Sequence, residues 1–114
     1  MDHLIEKNDN FTLIRFSGSL ASDLEEQVRS ILIALFEESK QGIVIDLKQT
    51  DFVSSNVLGL FFSLSRVAEG SQKKIAFCNV NEELKKIFIM TGVVKHLHLC
   101  QDESGAVDFI TTVE

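Results

Sequence analysis

Proline is absent from this chain, and cysteine occurs only twice. The lack of proline excludes stiff Pro-rich spacers, and no low-complexity stretch or shift in composition marks a linker. One domain is therefore expected of the 114 residues, a length that a single hydrophobic core can serve. Two cysteines are too few for a disulfide scaffold. Neither belongs to a CxxC pair, which leaves zinc and thiol-redox chemistry without their usual sequence basis. Cys78 lies in an apolar run and reads as a small buried hydrophobe, whereas Cys100 is expected to be more exposed.

Clustered positive charge is also missing. The formal net charge is −6, and the only adjacent basic residues are Lys73-Lys74 and Lys85-Lys86. Broad binding to nucleic acid or to anionic membranes needs far more Lys and Arg than that. No apolar run approaches the roughly 20 residues that span a bilayer. Met1–Lys7 has neither the basic start nor the apolar stretch of a secretory signal. A cytoplasmic protein without membrane insertion is expected.

What the chain does contain is a regular succession of strand and helix signals. Asn8-Asp9-Asn10 separates Leu4–Lys7 from Phe11–Phe16, predicting two strands joined by a tight turn, with Gly18 ending the second. Ser22 and Glu25 have capping-box spacing, and Leu24, Val28, Ile31, Leu32, Leu35 and Phe36 recur at helical intervals up to a stop at Gly42. Ile43-Val44-Ile45 reads as a central parallel strand with apolar groups on both faces. A second helix is predicted from about Asn56 to Ala68, ending near Gly70. Ile75–Cys78 is the next buried strand. Asn81 caps a third helix that Gly92 closes. Val93–Leu99 is predicted as a strand and Ala106–Val113 as a final helix. The order β-β-α-β-α-β-α-β-α specifies an α/β fold: a mixed sheet, mostly parallel with an antiparallel N-terminal strand, about four helices and right-handed crossovers.

The most informative segment runs from Ile43 to Leu60. A buried strand passes through a short polar connection into Ser54-Ser55, and an apolar helix follows directly. That places a serine hydroxyl at a helix N-terminus, where free N–H groups and the helix dipole favour a phosphate. Serine is also a preferred N-cap, and spacing alone favours capping without phosphorylation at either residue. Gly59 disfavours the helix it occupies by up to ~1 kcal/mol relative to Ala, so a close approach by backbone, partner or kinase is expected there.

Three segments carry a family resemblance. Asp51-Phe52-Val53-Ser54-Ser55-Asn56-Val57-Leu58-Gly59 resembles the Asp-Phe-Ile-Asp-Ser-Ser-Gly-Leu-Gly signature of STAS domains of the anti-sigma-factor-antagonist type. Gly18-Ser19-Leu20 resembles that family's Gly-Glu-Leu-Asp turn. Asn81–Val93 resembles its third helix, glycine stop and last strand. The resemblance implies an STAS-like α/β fold and a non-enzymatic regulator without cofactor. Its unphosphorylated form would bind an anti-sigma factor that is often itself a serine kinase. Phosphorylation of the serine after the motif's Asp would end the interaction, and a serine phosphatase would restore it. By position that serine is Ser55. Departures are local: Ser54, Asn56 and Val57 replace the motif's Asp, second Ser and first Gly, and Ala21 replaces the turn's Asp, with Asp23 nearby.

The partner surface expected around Ser55 comprises Ser19, Ala21, Asp23, Ser54, Asn56, Leu58 and Phe62. Monomer is the expected state. A constitutive accessory subunit of a membrane transport ATPase is the alternative the altered motif keeps open. His96 and His98 would share a strand face, yet no third ligand is evident and no metal is expected. Asp46 and Asp51 flank a strand end, where Asp46 is expected to cap a turn. No nucleophile elbow, P-loop or dinucleotide fingerprint is present, so no enzymatic activity is expected.

Overall fold

In the computed structural model, which describes residues 1–112, the chain builds a single five-stranded sheet. Its elements are β1 (Asp2–Lys7), β2 (Thr12–Leu20), α1 (Glu25–Glu38), β3 (Gly42–Val53), α2 (Ser55–Glu69), β4 (Lys74–Cys78), α3 (Glu82–Met90), β5 (His98–Cys100) and α4 (Glu103–Thr111). Strands lie in sequence order, β1 antiparallel to β2 and every later pair parallel.

Strand alternation divides the core into two layers. Ile14, Phe16, Ile43, Ile45, Leu47, Ile75 and Phe77 pack with Val28, Leu32 and Leu35 of α1, Val57 and Phe61 of α2, and Leu84 and Phe88 of α3. On the opposite face Leu13, Val44, Ala76 and Cys78 meet Ala106 and Ile110 of α4. The continuous β-branched run of β3 is thus apolar because it is covered on both sides.

Several boundaries differ from expectation. The Ser22/Glu25 capping box does not form. Ser22–Leu24 is a 3-10 turn that delivers the chain to α1, Leu24 N–H donates to Ala21 C=O (3.0 Å), and neither helix start carries a side-chain cap. Glu25 pairs instead with Arg29, one turn along α1. β2 continues past Gly18 to Leu20, absorbing two register shifts against β3. Gly42 begins β3 rather than stopping α1, which ends at Glu38. Its φ of +130° and the 1.8 Å that would separate an added Cβ from the Lys74 carbonyl oxygen leave room for no other residue.

Gly92 closes α3 in a left-handed conformation as expected. Beyond it, however, Val93–His96 forms a second 3-10 turn, and only His98–Cys100 pairs as a strand. The turn packs against α2, which draws this segment out of the sheet plane. α4 starts earlier than predicted because Asp102 Oδ1 accepts from Gly105 N–H (2.9 Å) and sets its first turn. The predicted end of that helix at Val113 lies outside the described residues. No described helix is long and apolar enough to cross a membrane.

Candidate functional site

The end of β3 and the head of α2 separate the two adjacent serines. Ser54 is 5% exposed. Its N–H donates to Leu20 C=O (2.9 Å), its Oγ accepts from Val57 N–H (3.2 Å), and its C=O accepts from Leu58 N–H (2.9 Å). It is the N-cap. Ser55 begins the helix, and its side chain is exposed together with that of Asn56. Since Val57 and Leu58 donate to Ser54, the N–H groups of Ser55 and Asn56 are left without a partner among the described residues. The first turn of α2 also carries no acid, whereas α1, α3 and α4 each place Glu there. Its positive end is therefore uncompensated.

The neighbouring surface comes from β2. Ser19 pairs with Phe52 and Leu20 with Val53, so the segment leading to Asp23 flanks Ser55. Ser19 Oγ donates to Asp51 Oδ1 (2.9 Å). Ser19 and Asp23 are exposed and Ala21 half-buried, and the Ser22–Leu24 turn packs on α2. Phe52 is 46% exposed beside this segment, because the alternation that buries Val53 turns its neighbour outward. In the sequence Phe52 stands out only as part of the motif, with no signal that marks it as surface.

Two expected contact residues face inward. Leu58 is 3% exposed and belongs to the core, and Ser54 is consumed by capping, so neither presents a surface to a partner. Phe62 does lie at the surface, half-buried. Its ring meets His96 edge-on (centroids 5.0 Å, 90°), and Arg66 lies 5.8 Å from its centroid. Ser55, Gly59, Phe62 and Arg66 follow one another along one face of the helix. Among the described residues nothing lies within 4 Å of a Cβ built on Gly59, so none of them requires its close approach. It opens instead onto a groove of about 320 Å³ shared with Phe62, Thr91, Gly92, Val93 and His96. A strand over Val93–Leu99 places Val93 and His96 in the sheet, and only the 3-10 turn brings them to this groove.

The other candidates are dispersed. Asp46, 1% exposed, accepts from Arg15 Nε (2.8 Å), Lys48 N–H (2.9 Å) and Asn79 Nδ2 (3.1 Å), and the bond to Asp46 holds the Arg15 guanidinium above its ordinary value. It fastens β2, β3 and the end of β4, while Asp51 bonds Ser19. His96 meets Phe62 of α2, but His98 stacks on Phe109 of α4 (4.0 Å), so the two do not share a face. Among the described residues no three metal-ligating side chains cluster.

Comparison with known proteins adds four findings. The STAS domain family model matches residues 3–106. An anti-sigma F factor antagonist from Paenibacillus polymyxa is 23% identical over 110 residues, covering 96% of this chain and 94% of that protein. The anti-sigma factor antagonist SpoIIAA in its unphosphorylated form superposes with a TM-score of 0.77 at 22% identity, over 99% of both chains. The Bacillus SpoIIAA in its phosphorylated form gives a TM-score of 0.70 at 22% identity, over 96% of this chain and 99% of that one.

Proposed function

The chain belongs to the STAS domain family, and on that footing we propose that it is an anti-sigma factor antagonist switched by phosphorylation of Ser55. The observation that carries this reading is the exposed Ser55 side chain beside two N–H groups that have no partner among the described residues, at a helix whose first turn holds no acid. Relatives named as antagonists, and a related chain solved with phosphate attached, support it.

The partner docks around Ser55 on Ser19, Ala21, Asp23, Phe52 and Asn56. Phe62 and its groove receive an apolar side chain from the same partner. Leu58 and Ser54 contribute from behind, by fixing the pose of the helix. A serine kinase, in this family often the anti-sigma factor itself, adds about −1.5 to −2 charges and three acceptor oxygens. The helix head tolerates that charge. A partner surface fitted to a neutral hydroxyl does not, since burying an unpaired charge at an interface opposes docking. A phosphatase then restores binding without any refolding.

The test is partner capture from source cells, with mass spectrometry of the captured protein and of the Ser55 peptide. Wild type and Ser55→Ala are expected to retain an anti-sigma factor that Ser55→Asp loses. Equal retention by both variants would end the switch mechanism, and capture of a transport ATPase alone would assign the chain to constitutive accessory subunits.

A further inference from the structure

Cys78 and Cys100 are register partners on the adjacent parallel strands β4 and β5. Side chains paired in this way share a sheet face, and both cysteines join the layer beneath α4. Neighbouring strands lie about 4.8 Å apart, inside the roughly 4.4–6.8 Å that a disulfide requires between Cα atoms, and the roughly 3.5–4.5 Å it requires between Cβ atoms is reached when the two strands close by a few tenths of an ångström. Both thiols are free. β5 is only three residues long and forms the edge of the sheet, so a small shift toward β4 disturbs no second ladder. Gly105 of α4 faces Cys100, and a Cβ built on it would stand 3.8 Å from the Cys100 Cβ, so a glycine there leaves space beside the cysteine.

We propose that Cys78 and Cys100 are a redox modification site, closing to an intramolecular disulfide on exposure to a low-molecular-weight disulfide oxidant. The half-buried Cys100, deprotonated, attacks one sulfur of the oxidant and expels the first thiolate, leaving a mixed disulfide. Cys78 attacks the Cys100 sulfur and expels the second thiolate, its proton passing to that leaving group. Both expelled thiolates take up protons. Two protein thiols are oxidised and one oxidant disulfide is reduced to two thiols.

The bond encloses α3 and the Val93–His96 turn, which supplies one wall of the groove beside Phe62. Burial, reinforced by Asp46, pushes the Cys78 thiol up to about 12. Burial also raises the Cys100 thiol, with Asp102 adding to it. Exchange is accordingly slow and is best driven at mildly alkaline pH.

The full chain is incubated with oxidised glutathione, acid-quenched, unfolded, alkylated and analysed by intact mass and peptide mapping. The wild type is expected to pass from two alkylatable thiols to none, with the Cys78 and Cys100 peptides linked within one monomer. The melting temperature should rise by about 10 °C and revert on reduction. Cys78→Ala is expected to stop at a glutathione adduct on Cys100. A wild type that keeps both thiols, stops at that same adduct or links only between monomers would overturn the proposal.

Discussion

Ser54 Oγ lies 3.2 Å from the Val57 backbone nitrogen, so the first of two consecutive serines is spent inside the fold and the second stays at the surface. The two hydroxyls therefore separate in their effects on stability. Ser54→Ala is expected to cost about 1 kcal/mol through loss of the cap, and Ser55→Ala to stay within about 0.5 kcal/mol of wild type. Ser55→Asp is expected to gain about 0.3–1 kcal/mol at low ionic strength, since it supplies the acid the first turn of α2 lacks. Urea unfolding at two salt concentrations measures all three. A folded, stabilised Ser55→Asp would also show that its loss of partner comes from charge and not from unfolding.

Leu58 and Phe62 lie one helical turn apart with opposite duties. Leu58→Ala empties a core position and should cost about 2–5 kcal/mol. Phe62→Ala removes a half-buried ring and should cost less, while weakening partner binding about tenfold or more, the scale of an interface anchor. Calorimetric titration with the captured partner, beside thermal melts, distinguishes the two.

Two glycines should respond in opposite directions. Gly42→Ala drives a Cβ into the Lys74 carbonyl and is expected to destabilise by more than about 2 kcal/mol, or to prevent folding. Gly59→Ala adds a methyl where nothing among the described residues stands within 4 Å and should stabilise α2 by about 0.5–1 kcal/mol. Loss of stability in Gly59→Ala would mean that the added methyl meets the groove wall.

The Cys78 thiol gives a pH signature. Its value rises from 9.0 to about 12 on folding, so the folded chain holds a proton that the unfolded chain releases. The associated stability is complete below about pH 9 and declines as pH rises toward 12, by up to about 1.4 kcal/mol per pH unit where only the unfolded thiol ionises. Denaturant midpoints between pH 8 and 11 should fall less steeply in Cys78→Ala than in wild type.

Much of the fold was readable because it is local. The β-branched Ile43-Val44-Ile45, the Asn81 cap with Glu82 and Glu83 behind it, and the glycine after α3 each announce their element within a few residues. Failures arose where distant contacts override local preference. Val93–Leu99 is rich in β-branched and alternating residues, yet packing against α2 turns its first half into a 3-10 turn. The α2 sequence is apolar over more than one face, so spacing could not say that Leu58 points inward and Phe62 outward.

The sequence by itself determined the alternation of strands and helices, the STAS-type motif and the presence of serine where β3 passes into α2. Only the tertiary structure decided which serine reaches solvent, where Phe52 and the groove lie, and that Cys78 stands opposite Cys100. Backbone propensity and capping act between near neighbours in the chain and are written there directly. Exposure and cross-strand proximity depend on which remote segment fills the adjoining space, as Leu20 does beside Ser54 and β5 beside β4.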